Sequence, residues 1–266
     1  MAGCSDGADN PSIAQGLSAP SVSREYAGII VPENGAEVYQ LDELALKPQR
    51  AYIYSRTDGA ADDAYGKIVI DRDYNADDLD GKGAIVVRPG EHLVIDFGQN
   101  CAAVPAFRFK DGEGTRLSCL PAELLNDGNG AKSRGMDGPE GSIHRRNLRI
   151  HDNSIRLDYT FADSPKAVDY TPRCTFFGYR YLDITATGEV TIQRIQSVPV
   201  SSITPEMETG RITTGNDLVN QLISNTIWGM RSNYLSVPTD CPQRNERLGW
   251  TADTQVFAET GTFFAN

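Results

Sequence analysis

Between Ser236 and Asp253 the sequence reads Ser-Val-Pro-Thr-Asp-Cys-Pro-Gln-Arg-Asn-Glu-Arg-Leu-Gly-Trp-Thr-Ala-Asp. Three carboxylates (Asp240, Glu246, Asp253), two guanidiniums (Arg244, Arg247) and one indole (Trp250) fall within its last fourteen residues. Pro238, Pro242 and Gly249 interrupt any helical run, so the segment is expected to be a rigid connection. Such a set suits a sugar. Carboxylates and arginines make directional hydrogen bonds to hydroxyl groups, and an aromatic face packs on the apolar side of a pyranose. A carboxyl kept protonated among other carboxylates is equipped to act as general acid at a glycosidic oxygen. The same residues also admit a structural role: Asp253 favours the N-terminus of a following helix, and Trp250 is of a type that fills cores.

Other chemistries lack their residues. There are three His, and no H-E-x-x-H, Walker glycine loop, G-x-S-x-G, or G-x-G-x-x-G after a strand. Zinc hydrolases, nucleotide enzymes and α/β-hydrolases therefore lose their main support. His144 and His151 stand seven apart, which is not a metal-ligand spacing. The five Cys (4, 101, 119, 174, 241) form no C-x-x-C pair, so free thiols are expected and not a disulfide framework. A net charge of −11 leaves no broad basic face for nucleic acid or an anionic membrane surface. No stretch reaches the roughly 20 apolar residues of a membrane span. Met1-Ala2-Gly3-Cys4-Ser5 resembles the tail of a bacterial lipoprotein cleavage site, without the apolar segment that precedes such a site. Intracellular and exported locations both fit.

The elements that position the polar segment follow from periodicity. Residues 1–25, rich in Ser, Gly, Ala and Asp, are expected to be a flexible leader. Residues 26–80 hold short strands, clearest at Gly28-Ile29-Ile30-Val31 and Ala51-Tyr52-Ile53-Tyr54, and an Asp-rich run over 56–80 that reads as a solvated loop. From Ala84 to Val200 the period of two becomes regular. Ala84–Arg88 and Leu93–Phe97 flank Pro89-Gly90 and read as a hairpin. Ala106–Lys110 and Thr115–Leu120 follow, then Tyr179–Thr185 and Val190–Ile195 around Gly188. Many short strands with Gly and Pro punctuation argue for an antiparallel, jelly-roll-like β-sandwich over 81–205. Within it, Asn126 to Asn153 reads as a long polar loop.

After Thr214 the period changes. Gly215-Asn216-Asp217 supplies a helix start, and Val219, Leu222, Ile223, Thr226, Ile227 and Met230 share one face to about Asn233. A second helix starts at Thr251 with Val256, Phe257, Thr260, Phe263 and Phe264 along its apolar side.

The run Asn233-Tyr234-Leu235-Ser236-Val237-Pro238-Thr239 followed by Asp-Cys-Pro-Gln-Arg-Asn-Glu-Arg-Leu-Gly-Trp-Thr-Ala-Asp at 240–253 resembles the signature of the bacterial α-L-rhamnosidases, a glycoside hydrolase family. Asp96-Phe97-Gly98-Gln99-Asn100, Pro121-Ala122-Glu123-Leu124 and Phe176-Phe177-Gly178-Tyr179-Arg180-Tyr181 resemble strand motifs of the same family's sandwich domain. The resemblance spans about residues 80–266. It implies an inverting hydrolase of terminal α-L-rhamnose in glycosides or polysaccharides, needing no organic cofactor and no metal. The implied fold is a sandwich beside a six-hairpin (α/α) barrel, of which residues 206–266 are the opening, with the chain stopping inside its second helix. On that resemblance Glu246 is the general acid. Asp240, Arg244 and Asp253 hold the rhamnose hydroxyls, Trp250 packs against the ring, and the general base lies beyond Asn266. Asn245 stands where the family commonly has Asp. Arg244 and Arg247 bring positive charge beside the acid, and Asp240 and Asp253 negative charge. Two alternatives stand beside this one: a non-catalytic carbohydrate-binding sandwich, and a related six-hairpin glycosidase for another sugar.

Overall fold

The computed structural model describes residues 37–59, 65–76, 83–110, 113–128, 136–148, 155–162, 166–246 and 248–265. The expected leader, the strand at 28–31 and His151 lie outside these residues. The strands, in chain order, are β1 (Tyr39–Gln40), β2 (Arg50–Asp58), β3 (Lys67–Asn75), β4 (Ile85–Val87), β5 (His92–Lys110), β6 (Arg116–Ala122) and β7 (Leu124–Leu125). There follow β8 (Ile143–His144), β9 (Leu157–Thr160), β10 (Val168–Tyr170), β11 (Phe177–Ala186), β12 (Val190–Ser201), β13 (Tyr234–Leu235) and β14 (Val237–Pro238). Two helices, α1 (Asp217–Asn233) and α2 (Thr251–Phe264), flank the polar segment.

The strands build an antiparallel β-sandwich in the order β1-β12-β5-β11-β6-β9, with β2, β3, β4 and β10 attached to it. β5 serves both layers. Its first half pairs with β2, and its second half with β12 and β10. Its middle carries Cys101 and Ala103 into the core between the layers and turns Ala102 and Val104 to the opposite face. Both faces are buried there, so the polar alternation of a half-exposed strand gives way to a continuous apolar run. The core gathers Phe97, Phe107, Phe109, Tyr179 and Leu182. Phe109 is fully buried, with ring centroids of Tyr159 and Phe161 both 4.8 Å away.

Three expectations are corrected. Ala84–Arg88 and Leu93–Phe97 do not form a hairpin: β4 pairs with β12, through Val87 opposite Val190. The turn between them is real, closed by the Glu91 N–H donating to Arg88 O at 3.0 Å, but it sends the chain into a different part of the sheet. The acidic run over 56–80 is not simply a loop, since β3 occupies Lys67–Asn75 and pairs with β2. Its aspartates have partners there, Asp73 a bidentate Arg50 and Asp71 the Ser55 hydroxyl at 2.8 Å. The polar stretch from Asn126 likewise contains β8 and a buried His144, whose Nδ1 sits 3.2 Å from both Asn126 Oδ1 and Asp137 Oδ1.

α1 begins where Asn216 caps it, its side chain accepting from the N–H groups of Leu218 (2.9 Å) and Val219 (3.4 Å). The helix lies across the second buried face of the sandwich, where Ser232 Oγ accepts from the Ala102 N–H at 3.1 Å. Ile223, Ile227 and Met230 pack with Phe257 and Phe264 of α2. Leu222 and Val219 from the same apolar stripe, and Val256 and Phe263 of α2, remain exposed.

Candidate active site

The polar segment leaves α1 through a tight corner. Ser236 takes a left-handed conformation (φ 70) between β13 and β14. The Thr239 N–H then turns back to Asn233 O at 2.7 Å. Ten residues later the chain returns to the same place: Gly249 pairs with Thr239, and the Trp250 N–H donates to Pro238 O at 3.2 Å. The intervening loop is thus closed at its base before α2 starts. Its outer side rests on the sandwich. Gly178 of β11 approaches so closely that a Cβ there would stand 2.6 Å from Gln243 N and 2.8 Å from Pro242 C.

Inside the loop Arg244 holds two carboxylates. Its Nε donates to Glu246 Oε2, and its Nη2 to Asp240 Oδ2 at 3.2 Å. All three side chains are largely enclosed, with exposures of 20% for Arg244, 26% for Glu246 and 30% for Asp240. Cys241 Sγ lies 4.0 Å from Glu246 Oε2, and its thiol is pushed up to about 11, chiefly by burial and by the neighbouring Asp240. It is therefore a neutral thiol at neutral pH. One ligand atom each from Asp240, Cys241 and Glu246 falls within 4.8 Å of the others, but the Arg244 guanidinium already pairs both carboxylates. The arrangement is an arginine-carboxylate cluster and not a cation cradle.

Asp253, in the first turn of α2, shares with Asp240 a cavity of about 600 Å³ between the two helices, also walled by Met230, Tyr234 and Phe257. Trp250 is placed differently. It precedes α2, is 39% exposed, and does not line this cavity. Of the residues singled out in the sequence, Asp240, Arg244 and Glu246 are in direct contact, and Asp253 joins them across a cavity.

Residues of the sandwich also reach this region. A register shift in the β5–β11 ladder between Tyr179 and Tyr181 marks a bulge at the Asp96-Phe97-Gly98-Gln99-Asn100 motif. Gly98 adopts φ 77 there, with its N–H donating to Asp96 Oδ1 at 2.7 Å. Asp96 takes a bidentate Arg180 at 2.7 and 2.8 Å. The bulge turns Asn100 toward Glu123, whose Oε1 accepts from Asn100 Nδ2 at 2.9 Å and whose Oε2 accepts from Asn147 Nδ2 at 3.0 Å. Burial lifts the Glu123 carboxyl above the ordinary glutamate range, against the pull of Asn100, the Arg244 charge and Asn147. In the sequence Asn100 and Glu123 stand out only as parts of the strand motifs. Asn100 lies at the bulge in the middle of β5 and Glu123 in the break between β6 and β7, positions that the sequence does not set apart from the rest of their strands.

Two family models match the chain, the bacterial alpha-L-rhamnosidase concanavalin-like domain over residues 87–201 and the bacterial alpha-L-rhamnosidase 6 hairpin glycosidase domain over residues 207–266. An alpha-L-rhamnosidase of Formosa agariphila is 31% identical over 68% of the chain, and one of Streptomyces avermitilis is 33% identical over 71%. The chain belongs to the bacterial α-L-rhamnosidase family. It spans less than a fifth of the length of these relatives, 18% and 17%. Among solved structures, the Streptomyces avermitilis α-L-rhamnosidase complexed with L-rhamnose superposes with a TM-score of 0.61 at 27% identity, over 89% of this chain and 18% of that one. The Aspergillus terreus α-L-rhamnosidase does so with 0.54 at 28%, over 67% of this chain and 19% of that one. In this chain the concanavalin-like match holds β5, β11 and β12, and the six-hairpin match holds α1, the closed loop and α2.

Proposed function

We propose that this chain supplies the acid side of an α-L-rhamnosidase active site, acting on rhamnose-containing glycosides or polysaccharides. The observation that carries the reading is Arg244 tying Asp240 and Glu246 together inside a loop closed at its base and seated on the sandwich. Glu246, as general acid, gives its proton to the leaving glycosidic oxygen as the bond to the anomeric carbon breaks. A water, activated by a second carboxylate supplied from outside residues 1–266, attacks the opposite face of the ring and inverts the anomeric centre. Asp240, Arg244 and Asp253 accept and donate hydrogen bonds at the rhamnose hydroxyls, while the ring-packing role of Trp250, which does not line the cavity shared by Asp240 and Asp253, rests on the family resemblance alone. Arg244 also restrains both carboxylates, so that little ordering is left for the moment of reaction.

The test is L-rhamnose release from an aryl α-L-rhamnoside by the full-length gene product, with the first-formed anomer read by proton NMR. The β-anomer is expected first. No release from α-L-rhamnosides, or first formation of the α-anomer, overturns the assignment.

A further inference from the structure

A general acid has to keep its proton at the pH where it works, yet the closed loop sets a permanent cation on Glu246, through Arg244 Nε. Among the described residues, negative charge reaches that cation from two further sides. Asp240 takes the other arm of the guanidinium at 3.2 Å. Glu123 approaches from the sandwich, and with Asp240 and Cys241 it lines a cleft of about 790 Å³ between the sandwich and α1. The Arg244 charge is felt at the Glu123 carboxylate, where it favours the ionised form. The other groups here add no net charge. Arg180, which also lines the cleft, is taken by a bidentate Asp96, and Cys241 is a neutral thiol. Asp253 faces the separate cavity between the helices.

Hydrogen bonding holds Glu123 ionised and in place. Its Oε1 accepts from Asn100 Nδ2 at 2.9 Å and its Oε2 from Asn147 Nδ2 at 3.0 Å. Both oxygens are therefore acceptors, the pattern of a carboxylate and not of a protonated carboxyl. Asn100 stands at the bulge of β5 and Asn147 in the short turn after β8, so two distant parts of the sandwich fix this one charge. Burial works against the charge, and the two amides and Arg244 support it.

We propose that Glu123 is a positioning residue that acts through Arg244: three carboxylates share one guanidinium, and the one supplied by the sandwich offsets the pull of Arg244 on Glu246, so that the acid keeps its proton to a higher pH. The proposal rests on the reading of Glu246 as acid. It gives the sandwich an electrostatic part in the reaction as well as a mechanical one.

The test is the pH dependence of kcat/KM for an alkyl α-L-rhamnoside in the full-length gene product, whose alkaline limb reports the acid of the free enzyme. Glu123→Gln removes the charge at nearly constant shape, and Asn147 can turn its Oδ1 toward the new amide. The limb is expected to move to lower pH by about half a unit to one unit, the effect of one charge several ångströms away in a partly solvated site. Glu123→Asp disturbs the same contacts but keeps the charge, and should move the limb less than half as far, with circular dichroism confirming the fold of both variants. An unmoved limb in Glu123→Gln, or equal shifts in the two variants, overturns the proposal and spares the acid. A limb that persists unchanged in Glu246→Gln belongs to another group and overturns the acid reading, and the proposal with it.

Discussion

Gly178→Ala is the sharpest way to ask whether the sandwich holds the closed loop in place. Gly178 lies within β11 with no left-handed φ, so alanine there meets no backbone strain, and every consequence of the change comes from the space beside it. That space is filled by backbone: the new methyl would stand 2.6 Å from Gln243 N and 2.7 Å from Gln243 Cα. Ordinary contact begins near 3.4 Å, so strand and loop must separate by about 0.8 Å. No flexible side chain can yield in their place. Overpacking of this kind costs about 1–3 kcal/mol. For a chain of this size that is a fall in Tm of about 2–12 °C. The displaced residues, Pro242 and Gln243, immediately precede Arg244, so L-rhamnose affinity is expected to fall by about tenfold or more, roughly 1.4 kcal/mol per decade. Differential scanning calorimetry and isothermal titration read the two effects on one sample. An alanine variant with wild-type Tm and wild-type rhamnose affinity would refute the claim that β11 sets the position of the loop.

Arg244→Lys keeps the charge but loses the fork that reaches both carboxylates, and should weaken rhamnose binding about 10- to 100-fold, the value of one or two charge-assisted hydrogen bonds; titration calorimetry measures it. Phe109→Ala empties a fully buried site ringed by Tyr159 and Phe161 and should cost about 3–5 kcal/mol in urea denaturation. His92 Nδ1 lies 2.9 Å from Asp183 Oδ2, and that hydrogen bond raises the imidazole pKa above its ordinary 6.5. The bond's contribution to stability is then fully present below pH 6.5 and is lost as pH rises through the raised value. NMR titration of His92 should show the raised pKa in the wild type and a lower one in Asp183→Asn.

What the sequence revealed was set by the range of each physical signal. Both helices were legible to within a residue or two, because Asn216 is a local cap and the spacing of Ile223, Ile227 and Met230 is a local pattern. The strands with clear alternation, β2, β4, β6, β11, β12 and the two ends of β5, were legible in the same way, whereas β9, β10 and the middle of β5 were not, and strand partners were not. Alternation marks a strand without saying what lies beside it, so β4 read as a hairpin partner of β5, whereas it pairs with β12 across about a hundred residues. β3 was hidden because its charged residues satisfy one another across the β2–β3 ladder, as Arg50 does with Asp73. At the site, Asp240, Arg244 and Glu246 were found since they lie within one turn of chain. Asn100 and Glu123 reach the same cleft from different strands, a proximity that only the bulge at Gly98 creates.

The most direct measurement is the leaving-group dependence of Glu246→Gln in the full-length gene product. General acid catalysis contributes about 10²- to 10⁴-fold, and only where the departing oxygen needs a proton. Hydrolysis of an alkyl α-L-rhamnoside should therefore fall by about that factor, while the dinitrophenyl rhamnoside, whose leaving group departs unprotonated, should keep a rate within about tenfold of wild type. Equal losses on both substrates, or no loss on the alkyl rhamnoside, would contradict the assignment of Glu246 as the acid.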